Sequence, residues 1–420
     1  MKASTDRQFC FAGGALAIAL FFATASPAQA QTFTVLHEFA GFPNDGRMPT
    51  AALIEDSAGN LYGTTYAAGK YGGGVVFKLN PNGHGTVLHN FSTGAAAAAT
   101  NGANPAGGLV MDAAGNLYGT TANGGDLQCS LNHPDGCGTV FRLDSTNRLT
   151  VLQRFNGGYD GADPTQSLLL DASGRLFGTN ELAGPGSDGM LYQIDTATGQ
   201  LTYIHSFYAY VDGTSNLVED AQGNLWGTAS DGGIYSCWEG YLNCGGIFEF
   251  FANSDYHSMG VALEFPLKAN GTNPVGGLVM DAAGDFYGTT QHGGNFACPG
   301  GCGVVFEFDP AVGETVLYRF TGIADGANPQ AGVVRDSAGN LNGTTRYGGM
   351  TTTVGGGYGV VFEIDATGKY TVLHTFNGND GAQPEANLLL DSAGNLYGTT
   401  AYGGSSACTG GCGVVFKITP

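Results

Sequence analysis

Positive charge is scarce in this chain of 420 residues: 15 Lys and Arg stand against 35 Asp and Glu, a formal net charge of −20. So acidic a surface repels phosphate backbones and anionic lipid, which excludes nucleic-acid binding and electrostatic membrane docking. Long apolar runs are missing as well. Beyond residue 30 nothing approaches the ~20 apolar residues that cross a bilayer. No nucleophile elbow, zinc-binding His-Glu-x-x-His, phosphate loop or dinucleotide fingerprint occurs, so no enzyme class is announced by a motif. Tryptophan appears only twice, whereas glycine appears 72 times.

Residues 1–30 stand apart from the rest. Lys2 and Arg7 precede an apolar run from Phe9 to Thr24, and Ala28-Gln29-Ala30 supplies the small-x-small end of a cleaved secretory signal. Cys10 precedes the apolar core, which argues against lipid attachment there. A secreted protein, extracellular or periplasmic, is expected, with cleavage near Ala30-Gln31. Setting aside Lys2, Arg7 and Asp6 leaves 13 basic and 34 acidic residues, a net charge of −21.

What the mature chain has is repetition. Asp391-Ser-Ala-Gly-Asn-Leu-Tyr-Gly-Thr-Thr400 has seven versions, starting at Asp56, Asp112, Asp171, Asp220, Asp281, Asp336 and Asp391. Starts lie 49 to 61 residues apart, a period suited to propeller blades. One unit reads as four short strands: Ala106 to Met111, Asn116 to Thr121, Gly138 to Leu143 and Leu149 to Phe155, with a Gly-rich excursion between the second and third. The glycine of each Gly-Thr pair marks a bulge or a close backbone approach. The chain opens on a fourth-strand sequence, residues 32–39, and its last repeat stops at a third strand, Val414 to Ile418. The expected fold is therefore an all-β, seven-bladed β-propeller of four-stranded blades, with the last blade closed by the N-terminal strand. It forms one domain, 31–420, with repeats at about 50–91, 105–155, 164–207, 213–265, 274–320, 329–376 and 384–418 plus 32–39. A phenylalanine ends each fourth strand, at Phe39, Phe91, Phe155, Phe207, Phe265, Phe320 and Phe376, and belongs in the core.

Eight cysteines of the mature chain fall as close pairs: Cys129/Cys137, Cys237/Cys244, Cys298/Cys302 and Cys408/Cys412. Eight cysteines permit 105 pairings, but this clustering favours four loop staples, consistent with export. A thiolate metal site would need a second pair nearby, and none is.

The units Thr-Val-Leu-His-x-Phe, Asp-Gly-Ala-x-Pro, Asp-Ser-Ala-Gly-Asn-Leu-Tyr-Gly-Thr-Thr and Gly-Val-Val-Phe resemble the GloVer tandem-repeat family of exported bacterial proteins, across the whole mature chain. The resemblance implies export and a propeller-like fold, and carries no established activity. More distantly the units are similar to NHL-type and gluconolactonase-type propellers. Gluconolactonase relatives hold a divalent metal with Glu, Asn and Asp, a trio that cannot be matched here.

Successive antiparallel strands alternate direction, so the second-to-third loops and the blade-to-blade connections share one face. These loops are long and unequal, which makes that face the place for function. Just beyond each Gly-Thr strand the chain varies: Ala67, Asn123, Leu182, Asp231, His292, Tyr347 and Tyr402. The fourth repeat adds Tyr208, Tyr210 and Tyr235, with Trp238 and Tyr241 inside its stapled loop; rigid aromatics of this kind stack on sugars or anchor proteins. Asx-Gly pairs at Asp45, Asn101, Asp160, Asp212, Asn270, Asp325 and Asp380 read as turn chemistry, with Ca²⁺ ligation as the alternative. No resident metal or cofactor is otherwise expected. Two functions follow. One is a monomeric recognition module for an extracellular polysaccharide or surface protein, with Asn123, Asp231, His292, Tyr347, Tyr402 and the aromatics as its contacts. The other is a polysaccharide lyase or hydrolase using Asp231, Glu239, Glu181, Asp188 or His292 as acid/base groups. Many propellers bind without catalysing, so the first is preferred.

Overall fold

Each Asp-x-x-Gly turn is organised by one carboxylate. Asp56 accepts the Ala58 and Asn60 amides at 2.9 Å through one oxygen, and the Asn60 Nδ2 and Tyr62 hydroxyl at 2.8 and 2.9 Å through the other. Asp112 with Asn116 and Tyr118, Asp220 with Asn224 and Trp226, and Asp391 with Asn395 and Tyr397 repeat this set. The motif spells Asp-x-x-Gly-Asn-x-aromatic because the side chains four and six residues on are the donors. Burial pushes the carboxyls of Asp56, Asp112 and Asp391 up, but these hydrogen bonds outweigh it and hold them below the usual range.

The turns join strands into seven blades in a computed structural model that describes residues 31–93, 101–129, 135–186, 188–207, 215–232, 236–238, 241–242, 244–265, 268–349 and 353–420. Residues Gln31–Pro420 form a compact unit. Blade 5 is representative: Val279–Met280, Phe286–Thr290, Val304–Asp309 and Gly313–Arg319 pair in that order, all antiparallel. Blade 7 consists of Leu389–Leu390, Leu396–Thr400 and Val414–Thr419, closed by Thr32–Glu38, which pairs antiparallel with Val414–Thr419. The protein is thus the seven-bladed propeller anticipated from its repeats. The first strands are shorter than expected: only two residues, such as Val110–Met111, hold a ladder. The preceding Pro-Ala-Gly-Gly stretch lines the central channel instead, where the Gly108 amide donates to Ser167 of the next blade.

A bulge recurs in the fourth strand of every blade. Phe141 opposes Val151 while Val140 opposes Gln153, so Leu152 is the extra residue; Leu373 and Leu317 are its counterparts in blades 6 and 5. This explains why Thr-Val-Leu-His breaks strict alternation: one residue more on one strand bends it and increases its twist. The twisted start of a fourth strand can then lean on the preceding blade. Tyr370 stacks in this way on Tyr318, with centroids 4.0 Å apart.

Gly-Thr-Thr also has a residue-by-residue explanation. A Cβ on Gly63 would lie 2.6 Å from Phe77 Cζ and 2.8 Å from Leu53 Cδ2, so the close approach is that of the third strand's ring. The first threonine ties blades together: Thr64, Thr120, Thr228, Thr289 and Thr399 donate to the carbonyls of Gly107, Gln166, Gly276, Ala331 and Ala51 in the next blade. The second caps its own strand, as Thr290 does by donating to the His292 carbonyl at 2.8 Å. All seven strand-ending phenylalanines are buried, as expected, between successive sheets.

Candidate functional site on the loop-bearing face

The connections between blades are locked to the variable positions by paired backbone bonds. Ala103 bridges Asn123, Ala162 bridges Leu182, Thr272 bridges His292, Ala327 bridges Tyr347 and Ala382 bridges Tyr402. Loops and connections therefore do share a face. The next residue, Asn104, Asp163, Asn273, Asn328 or Gln383, has φ between 52° and 58° and precedes a proline. Left-handed backbone is unfavourable for such residues and persists only where the surroundings fix it. Here they do: the Asn328 amide donates to the Cys302 carbonyl and its Nδ2 to the Gln291 carbonyl.

This locking decides where the candidate side chains go. Asn123 donates to Asn104 Oδ1 at 3.2 Å, and Asp231 accepts from Asn273 Nδ2 at 3.3 Å. The His292 ring lies under its own stapled loop, 2.9 Å from where a Cβ on Gly300 would stand, and burial lowers its pKa. Tyr402 lies beside Gly410 in the corresponding loop. Tyr347 is half-buried, with the Arg346 guanidinium 5.2 Å above its ring. Among the acid/base candidates, Glu181 is engaged by Thr165 and Gln166, and Asp188 is held in a bridge with Ala183. Each of these candidates lies against its own or the adjacent blade. Tyr208, Tyr210, Tyr235 and Glu239 lie outside the described residues; Trp238 and Tyr241 are described as a backbone hairpin only.

Disulfides join Cys129 to Cys137, Cys298 to Cys302 and Cys408 to Cys412, and Cys244 is also disulfide-bonded. The Asx-Gly carboxylates serve their own turns. Asp45 and Asp380 each meet a histidine, His37 and His374, at 3.1 Å, while Asp325 accepts from Tyr318 and Thr321. Asp160 accepts the Asn156 amide, and Asp212 lies outside the described residues. Among the described residues no group of three or more His, Cys, Asp or Glu is placed to hold a metal ion.

Sequence reasoning missed the channel mouth. The channel encloses about 130 Å³ and is lined by all seven blades, including Gln166, Asn216, Gln330, Glu385 and Asn387. Arg346 Nε lies 3.0 Å from Glu385 Oε1 across the seam of blades 6 and 7, off the hydrogen-bond line, while its NH2 reaches Gln383. Burial pushes the Glu385 carboxyl up and Arg346 opposes this. The available signal was a broken pattern. Gln166, Asn216 and Asn387 stand where most sibling repeats have Ala or Gly, and Glu385 is the one carboxylate at a place its siblings fill with uncharged residues such as Thr50, Ala106 and Val275.

The outer part of this face is aromatic. Among the described residues six Phe and Tyr side chains are exposed, and five of them, Phe42, Tyr71, Tyr159, Phe296 and Tyr358, belong to its loops and connections. Tyr159 is 83% exposed; the sixth, Tyr203, sits on an outer strand.

The repeat chemistry, seven blades and stapled loops define a class, the sequence-repeat propellers. The chain belongs to the Gloeobacter/Verrucomicrobia repeat family, whose model matches residues 12–132, 129–354 and 299–420. Curated protein sequences yield no significant match. Similar solved structures include the extracellular domain of a one-component system from B. thetaiotaomicron (11% identity, TM-score 0.54, covering 92% of this chain and 40% of that one). PorZ, a surface component of the type-IX secretion system of Porphyromonas gingivalis, is similar at 12% identity and TM-score 0.53, over 90% of this chain and 47% of that one. A fungal AA5 alcohol oxidase in complex with copper is similar at 15% identity and TM-score 0.54, over 93% and 77%. The chain thus spans less than half the length of the first two, and likeness at these identities is one of fold. No helix among the described residues is long and apolar enough to cross a membrane.

Proposed function

We propose that the protein is an exported recognition module that grips an extracellular polysaccharide or a surface protein through its loop-bearing face. The observation carrying this reading is the segregation of exposed aromatics: Phe42, Tyr71, Tyr159, Phe296 and Tyr358 share one face. Flat, rigid side chains of this kind bind sugar rings or apolar anchors at low entropic cost. The disulfides, and the surface or extracellular descriptions of two fold neighbours, support export, with residues 1–30 as the leader removed near Ala30-Gln31. The test is a glycan-array screen of residues 31–420 with and without EDTA, followed by product analysis on any hit. Tyr159→Ala with Phe296→Ala is expected to weaken a hit about tenfold or more without unfolding the protein. New reducing ends or unsaturated products would replace this reading with the lyase or hydrolase one; loss of binding in EDTA would bring a metal ion into the site.

A further inference from the structure

The opposite face, which carries the Asp-x-x-Gly turns, holds a groove of about 650 Å³ between blades 4 and 5. Its apolar lining includes Met280, Phe286, Trp226 and Pro310, and its carboxylates are Asp220, Glu249, Asp281, Asp285 and Asp309; among the described residues no Lys, Arg or His lines it. One departure from the repeat and one difference among the blades meet there.

The first is in the turn. Six blades place a donor four residues after the turn aspartate, Asn60, Asn116, Arg175, Asn224, Asn340 or Asn395, and each bonds that carboxylate. Blade 5 has Asp285 instead. As a carboxylate it cannot donate, and its carboxyl is pushed up by burial and by the charges of Asp281, Asp309 and Glu307. Arg335 of blade 6 reaches Asp281 at 3.4 Å and partly offsets the rise at Asp285, while among the described residues the groove lining itself has no Lys or Arg.

The second is on the strands, where the blades divide. In blades 1 and 7 the third-strand residue opposite the aromatic is a lysine lying over its ring: Lys78 Nζ is 5.2 Å from the Tyr62 centroid, and Lys417 Nζ 5.3 Å from that of Tyr397. Blade 2 has Arg142 at that place. In blade 4 the same place, opposite Trp226, holds Glu249, as Glu307 and Glu363 hold it in blades 5 and 6. Indole is the strongest cation–π acceptor among the side chains, and here it faces a carboxylate where blades 1, 2 and 7 supply their own cation. Compared with the groove between blades 1 and 2, which contains Lys78 and four carboxylates, this one has five carboxylates and no lysine.

We propose that this groove docks a Lys- or Arg-bearing segment of a partner protein, its cation meeting Glu249 and the turn carboxylates beside the Trp226 ring. A bare metal ion fits poorly, since no three carboxylates converge among the described residues and much of the lining is apolar. An alkyl stem with a cationic head matches both halves, burying its methylenes against Met280 and Pro310 while its charge meets the carboxylates. This inference is independent of the loop-bearing face.

Trp226 supplies the readout. In residues 31–420 carrying Trp238→Phe it is the single tryptophan, and its fluorescence can be followed while adding the blocked pentapeptide Gly-Lys-Leu-Lys-Gly. The expected result is a saturable change that weakens severalfold between about 50 and about 200 mM NaCl. The Gln-for-Lys pentapeptide should produce none. Asp285→Asn combined with Asp309→Asn should weaken binding about tenfold, which corresponds to ~1.4 kcal/mol. Asp285→Asn restores the donor of the sibling turns, so it should also raise the melting temperature; weaker binding in a more stable protein cannot be ascribed to misfolding. No saturable change, unaltered affinity in the double variant, or spermidine binding as tightly as the lysine peptide would each overturn the proposal.

Discussion

Phe33 of the N-terminal strand stacks on His374 of blade 6, ring centroids 3.6 Å apart and planes within 4°, while its edge meets Phe376. Phe33 thereby ties the closing strand to two blades, since it also packs on Phe416 of blade 7. Phe33→Ala is expected to cost about 2–4 kcal/mol in chemical denaturation. Phe42→Ala, in the connection that follows the same strand and 69% exposed, should change stability by less than ~0.5 kcal/mol.

The turn carboxylates differ in what they hold, and this difference is measurable. Asp391 accepts from the Ala393 and Asn395 amides, the Asn395 side chain and the Tyr397 hydroxyl. Asp336 accepts the equivalent three from Ala338 and Asn340, but blade 6 has Asn342 in place of the aromatic donor. Asp391→Ala should therefore destabilise more than Asp336→Ala, by about 1 kcal/mol, in urea titrations of the two variants.

Glu314 is the outlier of the blade 4–5 seam. It starts a fourth strand where blades 6 and 7 have Tyr370 and Phe33, accepts one hydrogen bond from Asn270, and leaves Oε1 without a partner. Burial pushes its carboxyl up to about 7. Because the folded state binds this proton more tightly than the unfolded chain, its contribution is greatest below the ordinary carboxylate pKa and falls as pH rises through about 7. Glu314→Gln should remove that part of the pH dependence and add on the order of 2 kcal/mol at pH 8. Melting curves at pH 5 and pH 8 would show it.

Arg346→Met should leave Glu385 without its counter-charge at the channel mouth. A loss of about 2–3 kcal/mol is expected at pH 8, shrinking as the pH falls, because burial pushes the Glu385 carboxyl up and favours its protonated form. Adding Glu385→Leu should restore most of the stability. A double-mutant cycle by denaturant unfolding measures the coupling.

Blade number, closure and buried phenylalanines were all legible because the repeat writes them seven times. The Val-Leu step in Thr-Val-Leu-His already broke period-two alternation, but only pairing with the third strand shows that the leucine is a bulge. Arg346 and Glu385 lie 39 residues apart in different blades, so no local pattern joins them. Likewise His292 and Tyr402 look like surface positions in the chain; which way they point follows from a bridge to a connection some twenty residues earlier. Interactions between blades are long-range in sequence, and a repeat motif holds one half of such a contact, as the Gly-Thr threonine does, without naming its partner.

The pairing of Thr32–Glu38 with Val414–Thr419 also has a temporal side. Thr32–Glu38 is made well before its partner, so blade 7 can close only after the residues of the other six blades have been synthesised. Closing so long a loop is entropically slow. While Thr32–Glu38 is undocked, Val414–Thr419 presents an unpaired edge, and docking removes the means of recruiting a strand from a neighbouring molecule there.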